Sequence, residues 1–158
     1  MKKKLLIIAA MLVSGCNEQS KLESACASIV RDASVDPSAV VINKTAYKQS
    51  DMKLYEAYEI ISAKYDRKTP KSITEHTDKL INRSEPPRMH VVAIDWTGST
   101  ASGRVRSYAS CTFIADALPQ TFLSEVDFDT EAYKGTRLNA LFDRVSIPSE
   151  LDTSLFVR

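Results

Sequence analysis

The period of the apolar positions changes several times along the chain, and each change predicts an element. Residues 5–13 form an unbroken apolar run behind Lys2, Lys3 and Lys4. Leu22, Cys26, Ile29, Val30 and Ala33 then recur at helical spacing. Ser20-Lys21-Leu22-Glu23 fits a capping box, in which a serine and a glutamate three residues on each satisfy a free amide near the helix start. This predicts a helix from Ser20 that stops before Asp36-Pro37, because a residue preceding proline is pushed out of the helical region. Residues 39–43 are β-branched enough to predict a short strand. Over residues 51–66 the helical period returns, with Leu54, Tyr58, Ile61 and Tyr65 on one stripe and Tyr55 beside it. Ser72-Ile73-Thr74-Glu75 is a second capping box, opening a helix to about Arg83 that Pro86-Pro87 ends.

The second half alternates. Val92, Ile94 and Trp96 share one face of a strand over residues 89–96, and Val105, Ala109, Cys111 and Phe113 share one face of the next. Residues 97–103, rich in glycine and serine, join the two as a hairpin loop. Arg104, Arg106 and Tyr108 point the other way. A third strand over residues 121–129 places Val126 and Phe128 on one side and Glu125, Asp127 and Asp129 on the other, where the acids face Arg104 and Arg106 across the sheet. Leu138, Leu141 and Phe142 predict a short helix before Pro148, and Leu155-Phe156-Val157 is an apolar tail. Helices followed by hairpin-linked strands predict an α+β fold: a small antiparallel sheet of about three to five strands packed against N-terminal and central helices.

The first sixteen residues add an address. Three lysines, a short apolar run and Val13-Ser14-Gly15-Cys16 have the layout of a secretory signal with a small-residue cleavage site. The run is too short to span a bilayer, which takes about 20 residues. The V-S-G-C box resembles that of bacterial lipoproteins, in which the cysteine thiol takes a diacylglycerol and the preceding peptide is removed. That resemblance implies a signal peptide over residues 1–15, lipidation at Cys16, a tether over residues 16–19 and one globular domain over residues 20–158. An ordinary secretory peptide with a chance cysteine is the alternative. Several acyl chains anchor stably, at about 0.8 kcal/mol per buried methylene, where one is marginal. At about 3.3 Å per extended residue the tether reaches only about 13 Å. Asn17 follows the cysteine, and under the sorting habit of enterobacterial lipoproteins a residue other than aspartate there implies the outer membrane.

Charge and cysteine content sharpen this picture. The whole chain carries 21 Lys plus Arg against 20 Asp plus Glu; cleavage removes three lysines and no acid, leaving 18 against 20. That balance marks no nucleic-acid binder. With Cys16 assigned to lipid, Cys26 and Cys111 remain as a pair, both on predicted inward faces. In an oxidising compartment a helix-to-sheet disulfide is expected, with two buried free thiols as the alternative.

Signals for enzymes and metals mostly fail. Ser50-Asp51-Met52-Lys53 matches S-x-x-K, but S-D-N is absent and Lys134-Gly135-Thr136 is K-G-T, not K-T-G. Residues 127–131 space carboxylates like the start of an EF-hand loop, yet Ala132 stands where glycine belongs and Leu138 where glutamate belongs. His76 and His90 fit no metal-ligand spacing, and His90 is expected to cap a strand end. No cofactor, metal site or catalytic residue is therefore assigned.

The order of a cysteine-bearing helix, Asp36-Pro37-Ser38-Ala39-Val40-Val41, Val92-Ala93-Ile94-Asp95-Trp96, a glycine-containing turn, Arg104-Val105-Arg106 and Cys111-Thr112-Phe113 resembles small bacterial envelope domains. In those a D-P-S-S-V strand precedes an N-x-x-G…R…C-x-F hairpin. The likeness spans about residues 22–115 and implies the same α+β fold, with no activity to carry over. Two function classes follow. A non-enzymatic interaction or accessory lipoprotein would bind a protein partner in the envelope through an exposed patch holding Arg104, Arg106 and Tyr108, or through the Tyr55 helix. A small-molecule or cell-wall-binding module, or a cryptic hydrolase, would instead need a concave site with convergent polar groups.

Overall fold

A computed structural model of the chain describes residues 13–64, 86–115, 121–129, 131–146 and Pro148. Helix α1, Val13–Ala33, leads through a single 3-10 turn, Pro37–Ala39, into strand β1, Val41–Asp51. Helix α2, Leu54–Lys64, precedes β2, Arg88–Thr100, β3, Gly103–Ala115, β4, Thr121–Phe128, β5, Glu131–Lys134, and helix α3, Thr136–Phe142. The five strands form one antiparallel sheet in sequential order, β1-β2-β3-β4-β5. The fold is thus α+β, as the pattern predicts.

One face of the sheet carries the core. Val92 and Ile94 of β2, Ala109, Cys111 and Phe113 of β3, and Leu123 and Val126 of β4 are buried against Leu22, Ala25, Cys26, Ile29 and Val30 of α1 and Leu138 and Leu141 of α3. Cys26 and Cys111 are joined by a disulfide across this layer, with their Cα atoms 5.8 Å apart. It fixes the second turn of α1's apolar stripe to the centre of β3.

Several boundaries differ from the sequence reading. Ser20 lies inside α1 and caps nothing, because in the intact chain the turns before it supply the carbonyls that its amide would otherwise lack. The helix therefore begins before Cys16, and residues 16–19 are helical. At about 1.5 Å per residue they reach about 6 Å, half of an extended tether. Ala33 ends the helix exposed, and Leu54, expected on a buried stripe, is 41% exposed, whereas Ala57 of α2 is fully buried. Strand β1 runs to Asp51 through a polar stretch, Lys44 to Ser50, that shows no apolar alternation since an edge strand buries none of its residues fully. Strand β5 was missed for the same reason. The hairpin loop shrinks from residues 97–103 to Ala101-Ser102, with pairing out to Thr100 and Gly103. Gly103 takes φ 120°, a conformation that side chains resist. Val105, expected inward, is 46% exposed near this tip, outside the core cluster.

Two bulges tune the register. Asn43 is the extra residue between Ile42, opposite Trp96, and Lys44, opposite Asp95. Ser124 is the extra residue of β4, and its hydroxyl donates to the Thr112 carbonyl at 2.9 Å. The second bulge lets Leu123 and Val126, three apart, both face the core. The expected helix over residues 72–83, His76, Tyr65 and the apolar tail lie outside the described residues, as do the side chains of Tyr58 and Ile61. Among the described residues no helix is long and apolar enough to cross a membrane.

Two stability predictions follow from this packing. The disulfide closes a separation of 85 residues, for which chain entropy allows up to about 4.6 kcal/mol. Replacing both cysteines with alanine should lower unfolding free energy by about 2–5 kcal/mol in a denaturant titration; an unchanged midpoint would contradict the role assigned to the bridge. A Cβ built on Gly98 would run into the six-membered ring of Trp96. Gly98→Ala should therefore displace the chain's single tryptophan, shift its fluorescence and cost about 1–3 kcal/mol.

Candidate functional site

The face of the sheet turned away from α1 and α3 is built from the alternate residues of each strand. Strand register aligns them in rows that cross the sheet. One row is Ala46, Ala93, Ser110, Asp127 and Ala132, directly opposite one another from β1 to β5. Beside it run Lys44, Asp95 and Tyr108, and on its other side Lys48, Val91, Thr112, Glu125 and Lys134. Four of the five residues in the central row end at Cβ or one atom beyond, so the row is a floor between longer side chains. The result is a trough of about 860 Å³ whose lining includes Lys44, Asp95, Arg106, Tyr108, Asp127 and Asp129. This volume lies within the usual range of ligand sites, about 300–1,000 Å³.

Asp95 organises the wall of the trough. Arg106 Nε donates to Asp95 Oδ1 at 2.8 Å and the guanidinium closes a second bond to Oδ2, a forked pairing that fixes both side chains. Asn43, projected by the bulge, donates from Nδ2 to Asp95 Oδ1 at 3.1 Å and to Thr97 Oγ1 at 2.9 Å. The Arg106 hydrogen bonds, then Asn43, hold the Asp95 carboxyl down at about 2. Tyr108 stands opposite Asp95 with 56% of its surface exposed, and the Arg106 guanidinium carbon lies 6.0 Å from its ring centre.

The acidic strand finds partners other than those expected. Glu125 faces Lys134 at 3.9 Å. Asp129 accepts from the Tyr108 amide at 3.1 Å and from the Ser107 hydroxyl. Neither meets Arg104 or Arg106, because Arg106 turns to Asp95 on the opposite neighbour strand. Asp127, on the β4 side of the floor, has no partner among the described residues. Arg104 is exposed opposite Ser99 and does not line the trough. Tyr55, 57% exposed on α2, donates to Glu56 Oε1 at 3.2 Å and lies outside the trough lining. Of the four residues expected on the interaction surface, Arg106 and Tyr108 are brought together by the trough, and Arg104 and Tyr55 stand apart from it. Asp95 and Asn43 were missed, although the strand alternation that set Tyr108 outward places Asp95 outward too; Asp127 was read as outward but with the arginines of the next strand as its partners. Among the described residues no three His, Cys, Asp or Glu side chains converge as metal ligands.

His90 corrects another expectation. It sits within β2, fully buried, and caps no strand end. Its Nδ1 is 2.6 Å from the Tyr47 hydroxyl, and its Nε2 has no partner among the described residues. Burial pushes its pKa below the usual value, Arg88 adds to this, and Glu18 of α1 opposes it. Thr121 donates to the same Glu18 at 3.3 Å, tying the start of α1 to β4. His90 is a buried residue on the core face of β2, on the opposite side of the sheet from the trough.

The two titrating groups separate by pH. Burial makes His90 harder to protonate in the fold than in the unfolded chain, so as pH drops through about 6.5 unfolding takes up protons and stability falls. Asp95, ionised in the fold down to about 2, contributes above about pH 4 and loses that contribution as pH falls further. Denaturant midpoints measured from pH 7.5 to pH 5 should decline, and His90→Phe should flatten that decline while leaving the loss below pH 4; an identical decline in the variant would refute the assignment.

Cys16 lies within the backbone of α1. No protein-family model, no curated protein and no solved structure matches the chain.

Proposed function

We propose that the protein is an envelope lipoprotein, anchored through Cys16 to the outer membrane, that acts without catalysis by docking a protein partner on the open face of its sheet. The observation that carries this reading is the asymmetry of the sheet. One face is closed by α1, α3 and a disulfide, whereas the other presents a trough whose polar side chains are already held in place by Asp95, Arg106 and Asn43. Pre-set side chains reduce the ordering cost of binding. Half-exposed tyrosine and a stacked arginine are the residue types that contribute most at protein interfaces.

The anchor supports the same reading. With residues 16–33 helical and Glu18 bonded to β4, a lipid on Cys16 would hold the domain against the membrane with almost no free linker. Partners within reach would then be other proteins at that surface. The volume of the trough favours one further reading, a module that binds a small molecule or a cell-wall fragment. A hydrolase finds less support: Ser110 neighbours Asp127, but among the described residues no histidine joins them, since His90 is in the core on the opposite face.

Two measurements test the proposal. Cys16→Ser should move the protein from the membrane to the soluble fraction, and unchanged fractionation would refute lipidation. A photo-crosslinking amino acid at position 108, introduced in the intact cell, should yield a discrete protein adduct that the same probe at position 55 does not. An absence of any adduct from position 108 would overturn the assignment of the trough as the docking face.

A further inference from the structure

The open face of the sheet is charged unevenly along the line that crosses its strands. At the β1 end, Lys44 and Lys48 flank Ala46, and all three are exposed. On β4, three strands away, the outward residues are Glu125 and Asp127, with Asp129 at the strand end. Between them the wall is internally neutralised, because Asp95 and Arg106 form a closed pair. Glu125 is offset by Lys134, and the oxygens of Asp129 accept from Ser107 and Tyr108. Asp127 keeps an unpaired carboxylate among the described residues, half-buried on the floor. The trough is thus basic at one end, acidic at the other and small-floored between.

The dimensions restrict what fits. Strands lie about 4.8 Å apart, so Lys44 and Asp127 stand about 14 Å from each other across the sheet. An extended peptide advances about 3.3 Å per residue, so about four residues cover that gap. We propose that the trough binds an extended peptide segment of dipolar charge, with its acidic side chains toward Lys44 and Lys48 and its basic side chains, four or five residues away, toward Asp127 and Asp129. This deepens the docking reading given above and rests on it. The Tyr108 ring and the Ala46-Ala93 floor contact the uncharged middle of the segment. A second copy of the chain also has complementary charge, since a two-fold axis along β3 would set each basic end on the other's acidic end. Two concave faces, however, leave the space between their floors unfilled. An anionic bilayer surface or a nucleic acid would be repelled by the acidic half.

The test uses the full chain in detergent micelles and four synthetic nonapeptides with serine and alanine centres. One carries two glutamates at one end and two lysines at the other; the others carry four glutamates, four lysines or no charge. The dipolar peptide should bind at least tenfold more tightly than each of the rest at low salt. Lys44→Glu with Lys48→Glu makes both ends acidic and should transfer that tenfold preference to the lysine peptide, an inversion that loss of folding cannot produce. Ala93→Phe, which fills the floor and leaves every charge in place, should abolish binding of all four. Equal affinities, or a preference unchanged in the double variant, would overturn the proposal, as would concentration-dependent dimerisation that blocks peptide binding. Saturable binding of soluble cell-wall fragments in place of the peptides would also overturn it. A position-108 adduct in cells together with equal peptide affinities would retain the docking face and reject its dipolar peptide ligand.

Discussion

The covalent and apolar join between α1 and β3 is the constraint on which the rest depends. Cys26 and Cys111 meet at the middle of a layer in which Leu22, Ile29 and Val30 cover Val92, Ile94 and Phe113, all essentially shielded from solvent. Because strand side chains alternate, committing one face of β2 and β3 to this layer commits the other face to the opposite environment. Ala93, Asp95, Ser110 and Tyr108 are outward as a direct consequence. The trough and the core are therefore two readings of one register, and a one-residue slip would exchange them.

The two bulges adjust that register where the exchange would do harm. Asn43 turns β1 so that its own amide reaches Asp95 and Thr97, which fixes the carboxylate that receives Arg106. Ser124 shifts β4 so that Leu123 joins Val126 in the core while Glu125 and Asp127 stay outside. Each bulge thus serves both layers: one orders the polar wall, the other reconciles a packed interior with an acidic exterior. The proposed docking segment depends on both, since its basic half would meet Asp127 only if β4 keeps this phase.

Much of the fold was legible because buried stripes are periodic. The α1 stripe, the β2 and β3 alternation and the Cys26 to Cys111 pairing all follow from residues that must avoid water. What escaped was the part of the sheet that does not bury itself. The polar half of β1 and the four residues of β5 are strands by virtue of hydrogen bonding to neighbours, and hydrogen bonding leaves no period in the sequence. The candidate site was half legible for a related reason. Tyr108 and Arg106 stood out as large outward residues, whereas the floor of Ala46, Ala93 and Ala132 is defined by side chains that are missing, and its alignment appears only once the strands are in register. His90 escaped because a polar residue at an inward position looks, in one dimension, like the end of a strand.

The central claim is that one face of this sheet is sealed and the other is open and ordered. Hydroxyl-radical footprinting of the intact protein addresses it through neighbouring side chains on the same strand. Tyr108 should oxidise rapidly, while Phe113 on the same strand and Leu123 on the next should remain protected until the protein unfolds. Protection of Tyr108 to the level of Phe113 would mean that the outer face is covered, and the account of the trough as a docking surface would fail.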